Sequence, residues 1–241
     1  MGMHQGFIAA DVPLDRLVAA INSHVSKLET REARRSLDEM DLEPKNDGWP
    51  MAIGERDGKA YILDTSLVLS SAHDLIPALS ADLGGAIVVG AGAETTSGSY
   101  WLFAARNGKA IRSYWNCYTD MRQPWSKGEP LASEAAQHLE DLDGDGLRAA
   151  AASLGLDYDG WSRSGPFLSL FYSAETFPQA GPVAEEFNTF HASVRIPESQ
   201  QPKPTAIRRD GGGVDLVPAG SPAALAAKPE KKGLFGLFGR K

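Results

Sequence analysis

The strongest local signal in this sequence is an Asn-Gly pair at Asn107 and Gly108, between two runs rich in aromatic and β-branched residues. This pair accepts the positive φ angles of a type I′ turn, and the twist of that turn matches the twist of a β-hairpin. Residues 99–131 also hold three of the five tryptophans and the only cysteine. We therefore expect the rest of the chain to be organised around a hairpin in this stretch.

A two-residue loop fixes the register of the two strands, and side chains alternate across each strand. The predicted register places an arginine among three aromatic residues on one face: Trp101, Phe103, Arg112 and Tyr114. The other face is mainly aliphatic and predicts a core contact. The first face is either a second core layer, with Arg112 stacked on a ring, or a contact surface for a protein partner. The core interpretation is favoured because aromatic pairs commonly stabilise sheets.

The composition is that of a folded domain in a reducing compartment. The chain has 241 residues, 42% of them hydrophobic, which is enough to bury a core. No window approaches the length of a membrane span, and residues 1–13 lack the pattern of a signal peptide. One cysteine, Cys117, excludes an internal disulfide and predicts a cytoplasmic protein with a buried, inert thiol.

Charge is distributed unevenly along the chain. Residues 197–241 carry eight Lys/Arg and four Asp/Glu, whereas residues 1–196 carry 16 Lys/Arg and 27 Asp/Glu. An acidic body argues against nucleic-acid binding and suits a basic protein partner.

The remaining patterns predict an α+β domain over residues 1–196, with a mainly antiparallel sheet and helices packed against it. Hydrophobic spacing predicts a helix after Pro13, and the polar run 29–44 predicts its continuation or a second, solvated helix. Asp57-Gly58 predicts a second hairpin. Asp74 is predicted to cap a helix at 75–82, and Ser133 a helix that ends near Glu140.

Residues 197–241 are rich in proline, glycine and alanine and predict a disordered tail. The tail ends in two Leu-Phe pairs between basic clusters: Leu234, Phe235, Leu237 and Phe238. Such a tip suits a membrane surface or a groove on a partner, and a solvated tail is the alternative.

One stretch matches half of a calcium loop. Asp141, Asp143 and Asp145 stand at positions 1, 3 and 5, and glycine follows at position 6. Position 12, which requires a glutamate, is Ala152, and position 8 is Arg148. Calcium or small-ligand binding is therefore the alternative hypothesis, and a turn that links two helices is the simpler interpretation.

No catalytic signature is present in the sequence. There is no nucleophile elbow, phosphate loop or dinucleotide motif, and the five histidines show no zinc-ligand spacing. A dyad of Cys117 with His73 or His138 stays open, because residues distant in sequence are brought together by folding. The sequence favours a protein without enzymatic activity.

The order of elements over residues 48–161 resembles bacterial immunity-protein domains of polymorphic toxin systems. The resemblance is carried by a Gly48-Trp49 strand, the Asp-Gly hairpin, the segments LIPALS and AIVV, the Asn-Gly-Lys hairpin and the segment GEPL. It implies a small cytosolic α+β module that binds a protein, and it brings no catalytic residues.

Overall fold

A computed structural model describes most of the chain. The described residues are 4–25, 28–34, 36–141, 144–165, 167–173, 177–201, 204–208 and 214–218, of which 28–34, 204–208 and 214–218 are described by their backbone alone.

The described strands are β1 (His4–Ala10), β2 (Leu28–Arg34), β3 (Gly48–Arg56), β4 (Lys59–Asp64), β5 (Val88–Glu94), β6 (Ser99–Arg106), β7 (Lys109–Cys117), β8 (Trp125–Lys127), β9 (Phe167–Ser173), β10 (Pro204–Arg208) and β11 (Val214–Pro218). The described α-helices are α1 (Leu14–His24), α2 (Leu75–Asp82), α3 (Asp145–Ser153), α4 (Tyr158–Ser164) and α5 (Pro182–Val194). Short 3-10 helices lie at Leu37–Glu39, Ala132–Ala135 and Glu198–Gln200.

Nine strands form one sheet in the order β2-β9-β3-β4-β1-β5-β6-β7-β8. Every pairing in it is antiparallel. Strand β1 lies in the middle of the sheet, and Phe7, Ile8, Ala9 and Ala10 are fully buried. A strand covered on both faces needs apolar residues at successive positions, which these four supply. The predicted α+β class with an antiparallel sheet is confirmed.

The sheet has a core on each side. On the first side, called face A, the core includes Ile8 and Ile62 of the sheet together with residues of α1, α2 and α5. On the opposite side, called face B, Phe7 and Tyr61 pack with residues of α3 and α4. The alternation of side chains along β1 and β4 therefore supplies both cores at once.

Helix α1 shows why the sequence pattern produces a helix on face A. Leu17 and Ile21, four residues apart and so on one side of the helix, are fully buried against the sheet. Pro13 precedes the first turn, where its missing N–H costs nothing, and Val25 ends the helix in an extended conformation.

Both predicted hairpin turns are confirmed. Asn107 and Gly108 have φ angles of 53° and 69°, and Asp57 and Gly58 have φ angles of 53° and 72°. Positive φ at both central residues defines the type I′ turn, and aspartate, asparagine and glycine adopt it most readily.

The register predicted for the central hairpin is wrong beyond its first pairs. Arg106 lies opposite Lys109, but a bulge at Ile111 shifts the partners, so that Trp101 lies opposite Trp115 and Leu102 opposite Tyr114. A bulge inserts one residue into one strand, and each later side chain of that strand then changes face. Trp101 and Phe103 therefore lie on face A, whereas Arg112 and Tyr114 lie on face B.

Two helix predictions are also wrong. Residues 28–34, predicted as helix, form the edge strand β2, which pairs with β9. The segment after Ser133 forms only the 3-10 helix Ala132–Ala135. In both cases long-range contacts decide the local conformation, because helix propensity is a weak preference that tertiary pairing overrides.

The region predicted as a disordered tail contains an additional two-stranded ladder, in which β10 and β11 pair antiparallel. Its strands include Ile207, Val214 and Val217, and β-branched residues of this kind favour an extended backbone. The tip residues Leu234, Phe235, Leu237 and Phe238 lie outside the described residues.

Candidate functional site

The four hairpin residues considered as a contact surface are core residues in the structure. Trp101 and Phe103 are each 2% exposed, Arg112 is 3% exposed and Tyr114 is 9% exposed. Since the bulge also divides them between the two faces, they do not form one exposed aromatic patch. The burial of all four side chains fits the alternative of a core position better than a contact surface. The Arg112 guanidinium lies 5.6 Å from the centre of the Tyr114 ring, as expected for an arginine stacked on a ring.

Arg112 is the centre of a buried polar network on face B. Its guanidinium makes two hydrogen bonds to the Glu134 carboxylate, of 2.8 and 2.7 Å. It also donates to Ser126 Oγ at 2.8 Å and to the carbonyl oxygens of Lys127 and Ser113. Burial acts to raise the pKa of Glu134, but the hydrogen bonds from Arg112 and the Leu131 N–H hold that pKa below its ordinary value.

A second network surrounds Glu140. Its carboxylate accepts hydrogen bonds from the hydroxyls of Tyr114 and Tyr118 and, at 2.7 Å, from Nδ2 of Asn116. Burial and the nearby carboxylate raise the pKa of both tyrosines well above the ordinary value, so both hydroxyls stay protonated donors. Together with the Arg112–Glu134 pair, this network fixes residues 131–140 against β7.

The next helix is positioned by close backbone approach. At Gly146, in the first turn of α3, there is no room for a Cβ atom beside the carbonyl group of His138. Leu147 and Ala150, on the side of α3 that faces the sheet, are fully buried. The elements that cover face B are thus held by paired charges and by tight packing.

The outer side of this cover is acidic. Residues 36–47 carry five acidic side chains and one lysine. Residues 132–141 and 144–165 carry six acidic side chains and two arginines, and two of the six, Glu134 and Glu140, belong to the inward networks described above. The elements over face A, residues 14–25, 65–85 and 178–201, together carry six acidic side chains and two arginines. We call residues 36–47, 132–141 and 144–165 the acidic layer.

The segment 36–47 presents its charges outward because its apolar residues point inward. Leu37, Met40 and Leu42 pack against the face B core. The acidic residues between and after them are all exposed: Asp38, Glu39, Asp41, Glu43 and Asp47. Lys45 pairs with Asp41 at 2.6 Å, and within the described residues no ion pair is recorded for Asp38, Glu43 or Asp47.

The helical part of the acidic layer is partly neutralised by its own arginines. Arg148 pairs with Asp145 and, at 2.8 Å, with Asp159. Arg56, at the end of β3, lies 3.7 Å from Asp157, whose carboxylate also caps α4 through the N–H of Gly160. Among the described residues, the carboxylates of 36–47 therefore have fewer cationic partners than those of the helical part.

The half calcium loop does not assemble a metal site in the described residues. Asp145 is engaged by Arg148, and Asp141 accepts a hydrogen bond from Gln137, while Asp143 lies outside the described residues. Among the residues that the structure describes, no group of three His, Cys, Asp or Glu side chains is placed to hold a metal ion. Gly144, with a φ angle of 75°, leads directly into α3, but the helix predicted before this turn is not formed.

Cys117 is half-buried at the end of β7. In the described part of the chain its Sγ atom lies 3.3 Å from Thr119 Oγ1 and 3.8 Å from the carbonyl oxygen of Ser97. His73 lies among aromatic rings, and His138 is exposed. Neither of the dyads left open by the sequence is formed.

Two acidic residues, one fully buried and one half-buried, have structural roles that sequence reasoning missed or misassigned. Asp64 is fully buried and accepts hydrogen bonds from Ser66 and Ser70, and burial raises its pKa. Asp74 makes no side-chain cap of α2, contrary to the prediction, and instead accepts from three N–H groups at the start of α5. Ser66 lies two residues after Asp64, so the sequence contains a local signal for that hydrogen bond. The partners of Asp74 lie more than 100 residues away in the sequence, so no local pattern indicates them.

Comparisons with known proteins found no relative of this chain. No family model matches the sequence, and neither the curated proteins nor the solved structures gave a significant match. Among the described helices, none combines the length and apolar character that a membrane span requires.

Proposed function

We propose that this protein is a non-enzymatic cytoplasmic module that binds a basic protein partner through its acidic layer. The observation that carries the proposal is the concentration of exposed acidic side chains over face B, where residues 36–47 alone carry five acidic groups and one lysine. An immunity-type role, with a toxin as the partner, is the specific form that the resemblance suggests.

Physical arguments support an acidic surface of this kind as a binding site. Clustered like charges raise the association rate of an oppositely charged partner and make binding depend on salt. The Arg112–Glu134 pair and the Glu140 network hold residues 131–140 in place before a partner arrives. A surface ordered in advance loses less conformational entropy on binding.

The test uses two variants with equal net charge. The first, Asp38→Asn/Glu43→Gln/Asp47→Asn, removes three exposed charges from the acidic layer. The control, Asp15→Asn/Glu185→Gln/Glu198→Gln, removes three exposed charges from the elements over face A. Each full-length chain is tagged and used to capture proteins from the native lysate.

The proposal predicts that the wild type and the control retain the same basic protein in stoichiometric amount, and that the acidic-layer variant does not. Raising the salt concentration from about 50 to about 300 mM should weaken the capture, because it shortens the Debye length. Equal capture by all three chains, or capture of an acidic protein alone, would refute the proposal.

A further inference from the structure

Helix α5 is attached to the body by a cap at its start, by apolar side chains on one side and by ion pairs. At its start, the Asp74 carboxylate accepts hydrogen bonds from the N–H groups of Gly181, Val183 and Ala184, of 2.8, 3.0 and 2.9 Å. Of its thirteen residues, only Phe187 and Val194 are buried. Phe187 is therefore the one buried side chain in the first half of the helix.

Phe187 meets a histidine enclosed by aromatic rings. The centre of the His73 ring lies 4.4 Å from that of Phe187, 4.8 Å from Phe103, 5.3 Å from Trp115 and 5.6 Å from Trp125. The Nε2 atom of His73 is buried and has no hydrogen-bond partner among the described residues. We call His73 and these four rings the histidine cage.

The histidine cage and the Asp74 cap act on α5 together, because His73 and Asp74 are neighbours in the chain. A movement of the His73 ring out of the cage removes one of the rings against which Phe187 packs. Release of the first half of α5 also requires its three N–H groups to leave the Asp74 carboxylate, which belongs to the next residue.

We propose that α5 is a strap released by acid: when His73 takes up a proton, the N-terminal half of α5 leaves the sheet and exposes Trp115 and Trp125. This inference does not depend on the proposed function, since it concerns face A and not the acidic layer.

The physical reason is the cost of placing a charge in the cage. Burial lowers the pKa of His73 from 6.5 to about 4, although the neighbouring Asp74 carboxylate acts to raise it. A histidine that leaves the cage regains its ordinary pKa and takes up a proton at mildly acidic pH. Acid therefore favours the open form over the closed one.

The other charged groups around α5 confine the release to its first half. His191 pairs with Asp120 at 2.6 Å, and Arg195 reaches the same carboxylate at 3.3 Å. These two contacts hold the C-terminal end of α5 independently of the histidine cage. Lys127 of β8 pairs with Glu186 next to the cage, and His24 of α1 pairs with Asp82 of α2 at 2.8 Å.

The experiment is hydrogen exchange of the full chain at pH 7 and pH 5, corrected for the intrinsic rate of exchange. The opening constant of the first half of α5 should rise roughly 20-fold between these pH values, given the two pKa values of His73. Helix α3, on face B, serves as the internal reference: those of its amides that exchange by local opening should change by less than about 2-fold.

Two variants identify the titrating group. His73→Phe keeps a ring in the cage but takes up no proton, so the pH dependence of α5 should fall below about 2-fold. His24→Phe, which alters a histidine at the neighbouring α1–α2 pair, should retain the dependence of the wild type.

Three results would overturn the inference: no change in α5 exchange of the wild type between pH 7 and pH 5, an unchanged pH dependence in His73→Phe, or an equal loss of protection in α3. If His73→Phe does not fold, an NMR titration of His73 in the wild type replaces it. A measured pKa near 4 supports the strap, and one at or above 6.5 excludes it.

Discussion

The Arg112–Glu134 pair on face B and His73 on face A show two opposite ways of burying an ionisable group. On face B, Arg112 and Glu134 neutralise each other, and Glu140 is surrounded by donors. On face A, His73 lies among aromatic rings without a hydrogen-bond partner in the described residues. Indole N–H groups lack such partners on both faces, at Trp101 and Trp161, so the difference lies in the titratable groups.

This difference has consequences for stability and for pH. A buried ion pair is costly to break but keeps its geometry over a wide pH range. A neutral histidine packed among rings stays stable only while it stays uncharged. Face B therefore suits a permanently ordered surface, and face A suits an element that responds to acid.

The largest expected effect is the loss of the buried ion pair on face B. Arg112→Leu leaves the Glu134 carboxylate without its main partner and should reduce the free energy of unfolding by about 3–5 kcal/mol. Urea denaturation measures the change. The control Lys45→Ala removes the exposed pair with Asp41 and should leave the free energy of unfolding nearly unchanged. A loss below about 1 kcal/mol in Arg112→Leu would show that the pair does not anchor face B.

The next effect is the pH dependence of stability on face A. The pKa of His73 in the folded protein, about 4, is below the ordinary value of 6.5. The unfolded chain therefore binds more protons between these values, and stability rises with pH in this window. The contribution of neutral His73 to the free energy of unfolding is complete above about pH 6.5 and is lost as the pH falls through 4. The total loss is about 3 kcal/mol.

Denaturation of the wild type and of His73→Phe at several pH values measures this contribution. The difference between their unfolding free energies should change by about 3 kcal/mol from pH 7 to pH 4, and a constant difference would contradict the assignment.

A smaller effect is expected at the start of α5. Asp74→Ala removes the acceptor of three N–H groups and should cost about 1–2 kcal/mol, the range measured for helix caps. Asp82→Ala is the matched control, since this exposed carboxylate pairs only with His24 in the described contacts. Equal destabilisation by the two variants in thermal unfolding would contradict the cap assignment.

The smallest effect on stability is expected in the acidic layer itself. Asp38→Asn/Glu43→Gln/Asp47→Asn changes exposed side chains and should alter the free energy of unfolding by no more than about 0.5 kcal/mol per site. Denaturation of this variant beside the wild type tests the expectation. A large loss would mean that these carboxylates have a structural role and that the capture experiment needs other positions.

The sequence predicted those features that depend on neighbouring residues. Asn107-Gly108 and Asp57-Gly58 give their turns because the required φ angles belong to those residue types. The α+β class follows from hairpins and amphipathic helices that lie in separate stretches of the chain.

Features that depend on distant residues could not be predicted. The bulge at Ile111 has no local signal, and it moved Arg112 and Tyr114 to face B. The polar segment 28–34 becomes a strand because β9 offers a free edge. Asp74 caps α5 and not α2, since the chain returns to it only after more than 100 residues. The acidic character of the body was visible in the sequence, but its concentration on one face required the fold.

The most direct test of the account is the parallel capture by the two charge-neutralised variants, which have the same net charge. We predict that the basic partner is retained by Asp15→Asn/Glu185→Gln/Glu198→Gln and lost by Asp38→Asn/Glu43→Gln/Asp47→Asn. If both variants retain it equally, net charge or another surface holds the partner, and the acidic layer is not the binding site.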